Sequence, residues 1–235
     1  MTRDKLIIAI DGPSAAGKTS AARTLAKRLG YIYLDSGALY RAITLAALDL
    51  PPAADPSLVL AAARQARVRL VPVGTSFRPD AGGVDVSRAI RTAEVTARVS
   101  GIAALGPVRD WVNGELRNAA AVHPVGVVVD GRDIGTVVFP DAPLKVFLTA
   151  APEERARRRL AQDGQALNGE SLGRAARDLH SRDVADSSRA VAPLRPAADA
   201  VVLDTTVLSF AQQVEEIVKQ ARKLFAQVDI AKAQD

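Results

Sequence analysis

The chain has 235 residues, 48% of them hydrophobic, which is enough for one good core carrying at most a small insert. It has no cysteine and only two histidines, His123 and His180, which excludes disulfides and thiolate metal centres and argues against a structural zinc site. No apolar run reaches the ~18 residues of a spanning helix and no basic-then-apolar leader opens the chain, so a soluble, cytoplasmic protein with no membrane partner is expected.

The net charge of +5 is carried by seven lysines and 24 arginines. Arginine suits bidentate grip on phosphate oxygens. A nucleic-acid surface would add aromatics for stacking, and aromatics are only 4% of the chain, so no nucleic-acid partner is expected.

In chain order, Lys5 to Ile10 is an apolar run of strand length, and Ala21 to Leu29 has helical character closed by Gly30. Between them, Gly12-Pro13-Ser14-Ala15-Ala16-Gly17-Lys18-Thr19 fills every position of G-x-x-x-x-G-K-[ST]. The glycines let successive N–H groups face an anion, Lys18 reaches the outer phosphates, and the Thr19 hydroxyl faces Mg2+. The following helix adds its positive end.

Tyr31 to Leu34 reads as a second strand, and Asp35-Ser36-Gly37-Ala38-Leu39-Tyr40-Arg41 opens a helix to about Leu48, stopped by Pro51-Pro52. A helix near Ser57 to Ala66 leads into Val68 to Val71, and Val84 to Val86 alternates similarly. Gly74 to Gly83 between them is turn-rich, so a small antiparallel insert is expected. Helices follow from Thr92 to about Ala103 and from Gly106-Pro107 to about Ala121. Val125 to Val129, Leu144 to Leu148 and Ala200 to Leu203 are nearly unbroken apolar runs, the mark of parallel strands covered on both faces. Ser209 then caps a helix to about Phe225. Strands alternating with helices argue for an α/β layered fold.

Three polar groups stand out. Asp130-Gly131-Arg132-Asp133 follows an apolar strand, where parallel sheets collect ligands; Asp130 could orient Mg2+ water, Arg132 grip a phosphate and Asp133 accept from a substrate donor. A polar turn with an internal ion pair is the alternative. In Glu153-Glu154-Arg155-Ala156-Arg157-Arg158-Arg159, helical geometry puts Arg155, Arg158 and Arg159 within an arc of roughly 100°. That face suits a polyphosphate, although Glu/Arg pairing on a solvated helix would use the same residues. In the segment 182–189, Arg182, Asp186 and Arg189 fall within an arc of roughly 60° if it is helical, able to meet phosphate and ribose together or to pair with one another.

The blocks GPSAAGKT, DSGALYR (35–41), IRTAEV (90–95), VDGRDIGTVVFPDAPLKVFL (129–148), EERARRR (153–159), the R-D-x-x-D-x-x-R spacing of 182–189 and RAVAPL (189–194), in that order, resemble the bacterial cytidylate kinases over about residues 5–220. The resemblance implies a P-loop nucleoside monophosphate kinase fold: a central five-stranded parallel sheet flanked by helices, a small β-containing monophosphate-binding insert and a lid. It implies a single kinase domain with its core at about 1–50, 104–150 and 190–226, the insert at about 51–103, the lid at about 151–189 and a frayed tail at 227–235. The implied reaction is transfer of the γ-phosphoryl of ATP, with Mg2+, to CMP or dCMP in a monomer.

By the same resemblance, 12–20, including Ser20, would hold ATP. Ser36, Tyr40, Arg41, Ser100, Arg109, Arg132, Asp133, Arg182, Asp186 and Arg189 would line the acceptor site, and Arg155, Arg158 and Arg159 would belong to the lid. Lys18, Arg132, Arg182 and the lid arginines would stabilise charge on the moving phosphoryl, with Thr19 and, through water, Asp130 at the metal. Cytosine's amino donor and acceptors complement a carboxylate such as Asp133 and a guanidinium such as Arg109. Leu116-Arg117 stands where the family usually shows Gln-Arg.

Rival acceptors are UMP, AMP or a small hydroxylated metabolite. A regulatory GTP switch would need an N-K-x-D guanine reader, which is absent, and the lone D-x-x-G from Asp80 to Gly83 lies in the insert.

Overall fold

The computed structural model describes residues 6–232. Strand β1 (Ile7–Asp11) runs into the glycine-rich loop and helix α1 (Lys18–Leu29), followed by β2 (Ile32–Asp35), α2 (Ser36–Ala46) and α3 (Pro56–Gln65). Next come β3 (Val68–Val73), β4 (Ser76–Ala81), β5 (Val84–Asp85), α4 (Ala93–Ala104) and α5 (Gly106–Val122). The chain closes with β6 (Val127–Asp130), β7 (Leu144–Thr149), α6 (Pro152–Gln162), α7 (Gly169–Ser187), β8 (Val201–Asp204) and α8 (Phe210–Lys232).

The sheet order is β3-β4-β2-β6-β1-β7-β8. Strands β2, β6, β1, β7 and β8 pair in parallel, the five-stranded centre that the resemblance implies. Side-chain alternation divides the core. Ala9, Ile32, Leu34, Val127 and Val129 pack beneath α2, α3, α4 and α5, whereas Ile8, Ile10, Tyr33, Val128 and Val146 pack against α1 and α8. The result is a sheet between two helical layers.

Three expectations are corrected. Gly74 to Gly83 is not mainly turn: Ser76–Ala81 is strand β4, paired antiparallel to β3 from Val73↔Ser76 to Val68↔Ala81. Its Pro79 and scattered polar residues hide it locally, and the partner strand supplies the order. Strand β4 also meets β2 at Tyr33↔Ser76, so the antiparallel part extends the main sheet. The D-x-x-G is the hairpin's turn device, with the buried Asp80 carboxylate accepting from the Gly83 N–H at 2.9 Å. Strand β8 is not covered on both faces: at the sheet edge, Val202 is 58% exposed. Helix α8 passes residue 227 and continues through Lys232, so no frayed tail starts at 227; 233–235, like Lys5, lie outside the described residues.

The remaining elements place the carboxyl ends of β1, β2 and β6 side by side, with Asp35 in register with Asp130. Gly12 passes so close to β7 that a Cβ there would stand 2.0 Å from the Leu148 carbonyl oxygen, at φ +143°. Helices α6 and α7 pack on each other through Ala156, Leu160, Ala175 and Leu179.

Candidate active site

At the end of β1 the chain turns through Gly12 and enters α1 at Gly17, whose φ of 90° is left-handed. Ala15 also takes a left-handed φ of 60°, without being glycine. Such a residue persists only where its surroundings hold it. The loop and Lys18 form one end of a cavity of about 1080 Å³, whose other walls come from the α2 N-terminus, strand β4, residues 87–91, the loop after β6, helices α4 to α7 and the start of α8.

Ser14, Ala15, Gly17, Lys18, Thr19 and Ser20 border this cavity, as do Ser36, Tyr40, Arg41, Ser100, Arg109, Asp130, Arg132, Asp133, Arg158, Arg159, Arg182, Asp186 and Arg189. Gly12, Pro13 and Ala16 of the loop do not border it. Tertiary structure thus brings together residues from seven separate stretches of the chain. Arg155 does not share the cavity wall with Arg158 and Arg159. Its guanidinium turns to Asp183 and, at 3.1 Å, to the Ser14 carbonyl.

At the loop end, the Thr19 hydroxyl donates to Asp130 Oδ2 at 2.8 Å and the Tyr33 hydroxyl donates to Asp130 Oδ1 at 2.8 Å. Burial, followed by the nearby Asp35 charge, pushes the Asp130 carboxyl up to about 6. Lys18 Nζ folds back to the Pro13 carbonyl at 2.6 Å. Burial, and next the Arg132 cation, pushes its ammonium down to about 7. A hydroxyl and a carboxylate at this separation form an all-oxygen donor set suited to Mg2+.

The cavity is rich in uncompensated positive charge. Burial, reinforced by Arg182 and Arg91, lowers Arg41 to about 10, and burial with Arg132 lowers Arg182. The buried Nε atoms of Arg109, Arg182 and Arg189 and the Tyr40 hydroxyl have no hydrogen-bond partner within the protein. Such groups are costly unless a ligand satisfies them. Clustered buried guanidiniums therefore call for a polyanion.

Opposite the loop, Arg109 lies buried against the Tyr40 ring at 5.4 Å and donates to Asp133 Oδ2 at 2.5 Å and to the Ala103 carbonyl at 2.9 Å. Ser36 Oγ donates to the Asp130 carbonyl at 2.7 Å. Arg132 links the two ends: Nη2 reaches Ser14 Oγ at 2.9 Å and Nε reaches Asp186 Oδ2 at 2.8 Å, while Arg189 pairs with the other Asp186 oxygen. The 182–186 part of the proposed face lies on α7, with Arg189 just beyond its end. Arg158 donates to the Thr205 carbonyl at 2.6 Å and pairs with Glu154, and Arg159 pairs with Asp163. The alternative of Glu/Arg pairing is thus also realised on α6, most openly by the exposed Arg157 and Glu153.

Several contributors escaped sequence reading. Gln213 of α8 is 2% exposed and sits behind Gly17; its signal is a lone polar side chain beside the apolar stripe Val214, Ile217, Val218 and Ala221. Asp11 accepts from the Ile134 and Gly135 N–H groups at 2.8 and 2.7 Å, pinning the turn that carries Asp133. A carboxylate ending an apolar strand was the signal there. Leu116 is a core residue at 1% exposure, and Arg117 donates to the carbonyls of Val137 and Val138.

A model of the cytidylate kinase family matches residues 8–223. The chain is 47% identical over 224 residues to a cytidylate kinase of Desulfitobacterium hafniense (strain Y51), a match covering 95% of this chain and 94% of that protein. It is 44% identical over 222 residues to a cytidylate kinase of Limosilactobacillus fermentum, covering 94% and 97%. To a cytidylate kinase of Pseudomonas fluorescens it is 47% identical over 220 residues, covering 91% and 94%.

Proposed function

The chain belongs to the cytidylate kinase family, and from that premise we propose that it transfers the γ-phosphoryl group of ATP to CMP or dCMP, giving CDP or dCDP and ADP. The observation that carries this reading is one continuous cavity joining the phosphate loop to the buried Arg109–Asp133 pair, with unpartnered guanidinium nitrogens between them. A donor triphosphate and an acceptor monophosphate bound there would face each other across a basic wall.

Each group then has a task. The loop N–H groups and Lys18 take the donor phosphates. Arg41, Arg132, Arg182 and Arg189 take the acceptor phosphate, with Asp186 and Ser100 toward the sugar. Asp133, Arg109 and Ser36 read the base. Uracil puts a carbonyl where cytosine has its amino group, so a carboxylate facing that atom discriminates against it. Thr19 directly, and Asp130 through water, would hold Mg2+, which when bound neutralises charge on the transferred group.

Phosphoryl transfer asks little covalent chemistry of the protein, so positioning and charge neutralisation dominate. Lys18, Arg132, Arg158, Arg159 and Arg182 supply the charge. Helices α6 and α7 act as the lid over the donor side, excluding water that would otherwise accept the phosphoryl. Among the described residues no helix is long and apolar enough to cross a membrane. The enzyme works as a cytoplasmic monomer on free nucleotides.

The test is coupled ADP release from ATP and Mg2+ with CMP, dCMP, UMP and AMP at equal concentration. Strong preference for CMP and dCMP is expected. Equal turnover of UMP would make this a broad pyrimidine kinase, and turnover of AMP alone would overturn the base-reading assignment.

A further inference from the structure

One residue of the phosphate loop is held through both of its backbone polar groups. Ser14 is 5% exposed; its N–H donates to Asp183 Oδ1 at 3.2 Å, and its carbonyl accepts from Arg155 Nη1 at 3.1 Å. The same Arg155 nitrogen pairs with the second Asp183 oxygen, and Arg155 Nε donates to the Ala150 carbonyl at 3.2 Å. Asp183 belongs to α7 and Arg155 to α6. Neither borders the cavity, so neither is placed to touch a nucleotide there.

The next residue explains what such a grip achieves. Ala15 holds a left-handed φ of 60° without being glycine, a conformation in which its Cβ crowds the backbone and which its surroundings must enforce. A loop that turns successive N–H groups toward an anion needs such alternation of backbone hand. Left alone, the Ser14–Ala15 peptide would relax toward a right-handed or extended conformation and turn an N–H away. Tying both polar groups of Ser14 fixes the preceding backbone, and Ala15 packs on the Ala156, Leu160, Ala175 and Leu179 cluster of the same two helices.

We propose that Arg155 and Asp183 are positioning residues, a clamp by which α6 and α7 hold the phosphate loop in its anion-binding shape, so that donor affinity depends on these helices seating against Ser14. The proposal rests on reading residues 12–19 as the ATP site. Arg155 thereby differs from Arg158 and Arg159: its charge is used on the loop's backbone and on Asp183. Helix seating and phosphate binding become reciprocally coupled, since whatever favours the ordered loop favours the seated helices.

The experiment compares wild type with Asp183→Asn, Arg155→Ala and the double variant. Dissociation constants for a fluorescent ATP analogue without acceptor, and for CMP without donor, are measured beside thermal melts. Losing these charge-assisted contacts should weaken the ATP analogue at least about ten-fold while CMP changes less than about two-fold. Because the two residues pair with each other and act on the same residue, Ser14, the double variant should be no worse than Arg155→Ala alone. Unchanged ATP affinity, equal loss for both ligands, or a fall in kcat at saturating ATP with unchanged KM would each overturn the clamp. Asp183→Asn, of nearly equal shape, keeps the test open if Arg155→Ala fails to fold. Failure of the wild type to bind the ATP analogue would instead overturn the phosphate-loop reading, and the clamp with it.

Discussion

The guanidinium of Arg109 donates to the carboxylate of Asp133 across 2.5 Å, with both side chains cut off from solvent. A buried pair of this kind is costly to break from one side, because the survivor keeps a charge without a partner. Here it sits at the end of the cavity away from the phosphate loop, beside Tyr40 and Ser36. The pair therefore presents an acceptor and a donor in fixed positions where the acceptor's base is proposed to lie.

Asp133→Asn should erode the choice of base more than the chemistry. An amide keeps the shape but offers a donor where only an acceptor stood. The ratio of kcat/KM for CMP to that for UMP should fall by at least about 100-fold. Initial rates with both nucleotides, beside a melt to check folding, test this; an unchanged ratio removes Asp133 as the discriminator.

Lys18→Ala should lower kcat by about 100-fold or more with the fold intact, as expected for a lost charge at the transferred phosphates. Steady-state rates and circular dichroism are the check. Near-normal turnover would show that the loop's N–H groups and the arginines suffice.

Tyr33→Phe removes the hydroxyl that donates to Asp130 at 2.8 Å and leaves the packing of its ring. The stability cost should be about 1 kcal/mol. Losing one of the carboxylate's two orienting hydroxyls should also raise the Mg2+ concentration for half-maximal activity by about ten-fold. A Mg2+ titration at fixed ATP reads the second effect apart from the first.

Asp11 gives a pH dependence with a defined sign. Burial pushes its carboxyl from 3.8 up to about 6 in the folded chain, against two backbone donors. The folded state then holds the proton more tightly than the unfolded state, so this group's stabilisation is complete below pH ~3.8 and is lost as pH rises through ~6. Asp11→Asn cannot ionise. Its unfolding free energy relative to wild type should therefore improve by about 2 kcal/mol between pH 4 and 7. Denaturant melts across that range test it, and a constant difference would contradict the raised value.

Gly12→Ala should be poorly tolerated, because its Cβ would stand 2.0 Å from the Leu148 carbonyl oxygen. A backbone oxygen on β7 cannot rotate aside. A loss of about 3 kcal/mol or more is expected, read as a fall in Tm of about 6 °C or more.

What the sequence determined by itself were the features written in local order. The phosphate loop, the apolar strands β1, β6 and β7, and the helix stop at Gly30 each depend on residues next to one another, through backbone freedom, period and breaking. Tertiary structure decided what depends on partners distant in the chain. Strand β4 exists because β3 supplies its hydrogen bonds, and β8 is exposed because only β7 lies beside it. Arg155 shares a helical arc with Arg158 and Arg159, yet Ser14 and Asp183, 141 and 28 residues away in sequence, draw it off the cavity wall. Helical spacing fixes the direction in which a side chain leaves its helix; the groups it meets there are set by packing of the whole chain.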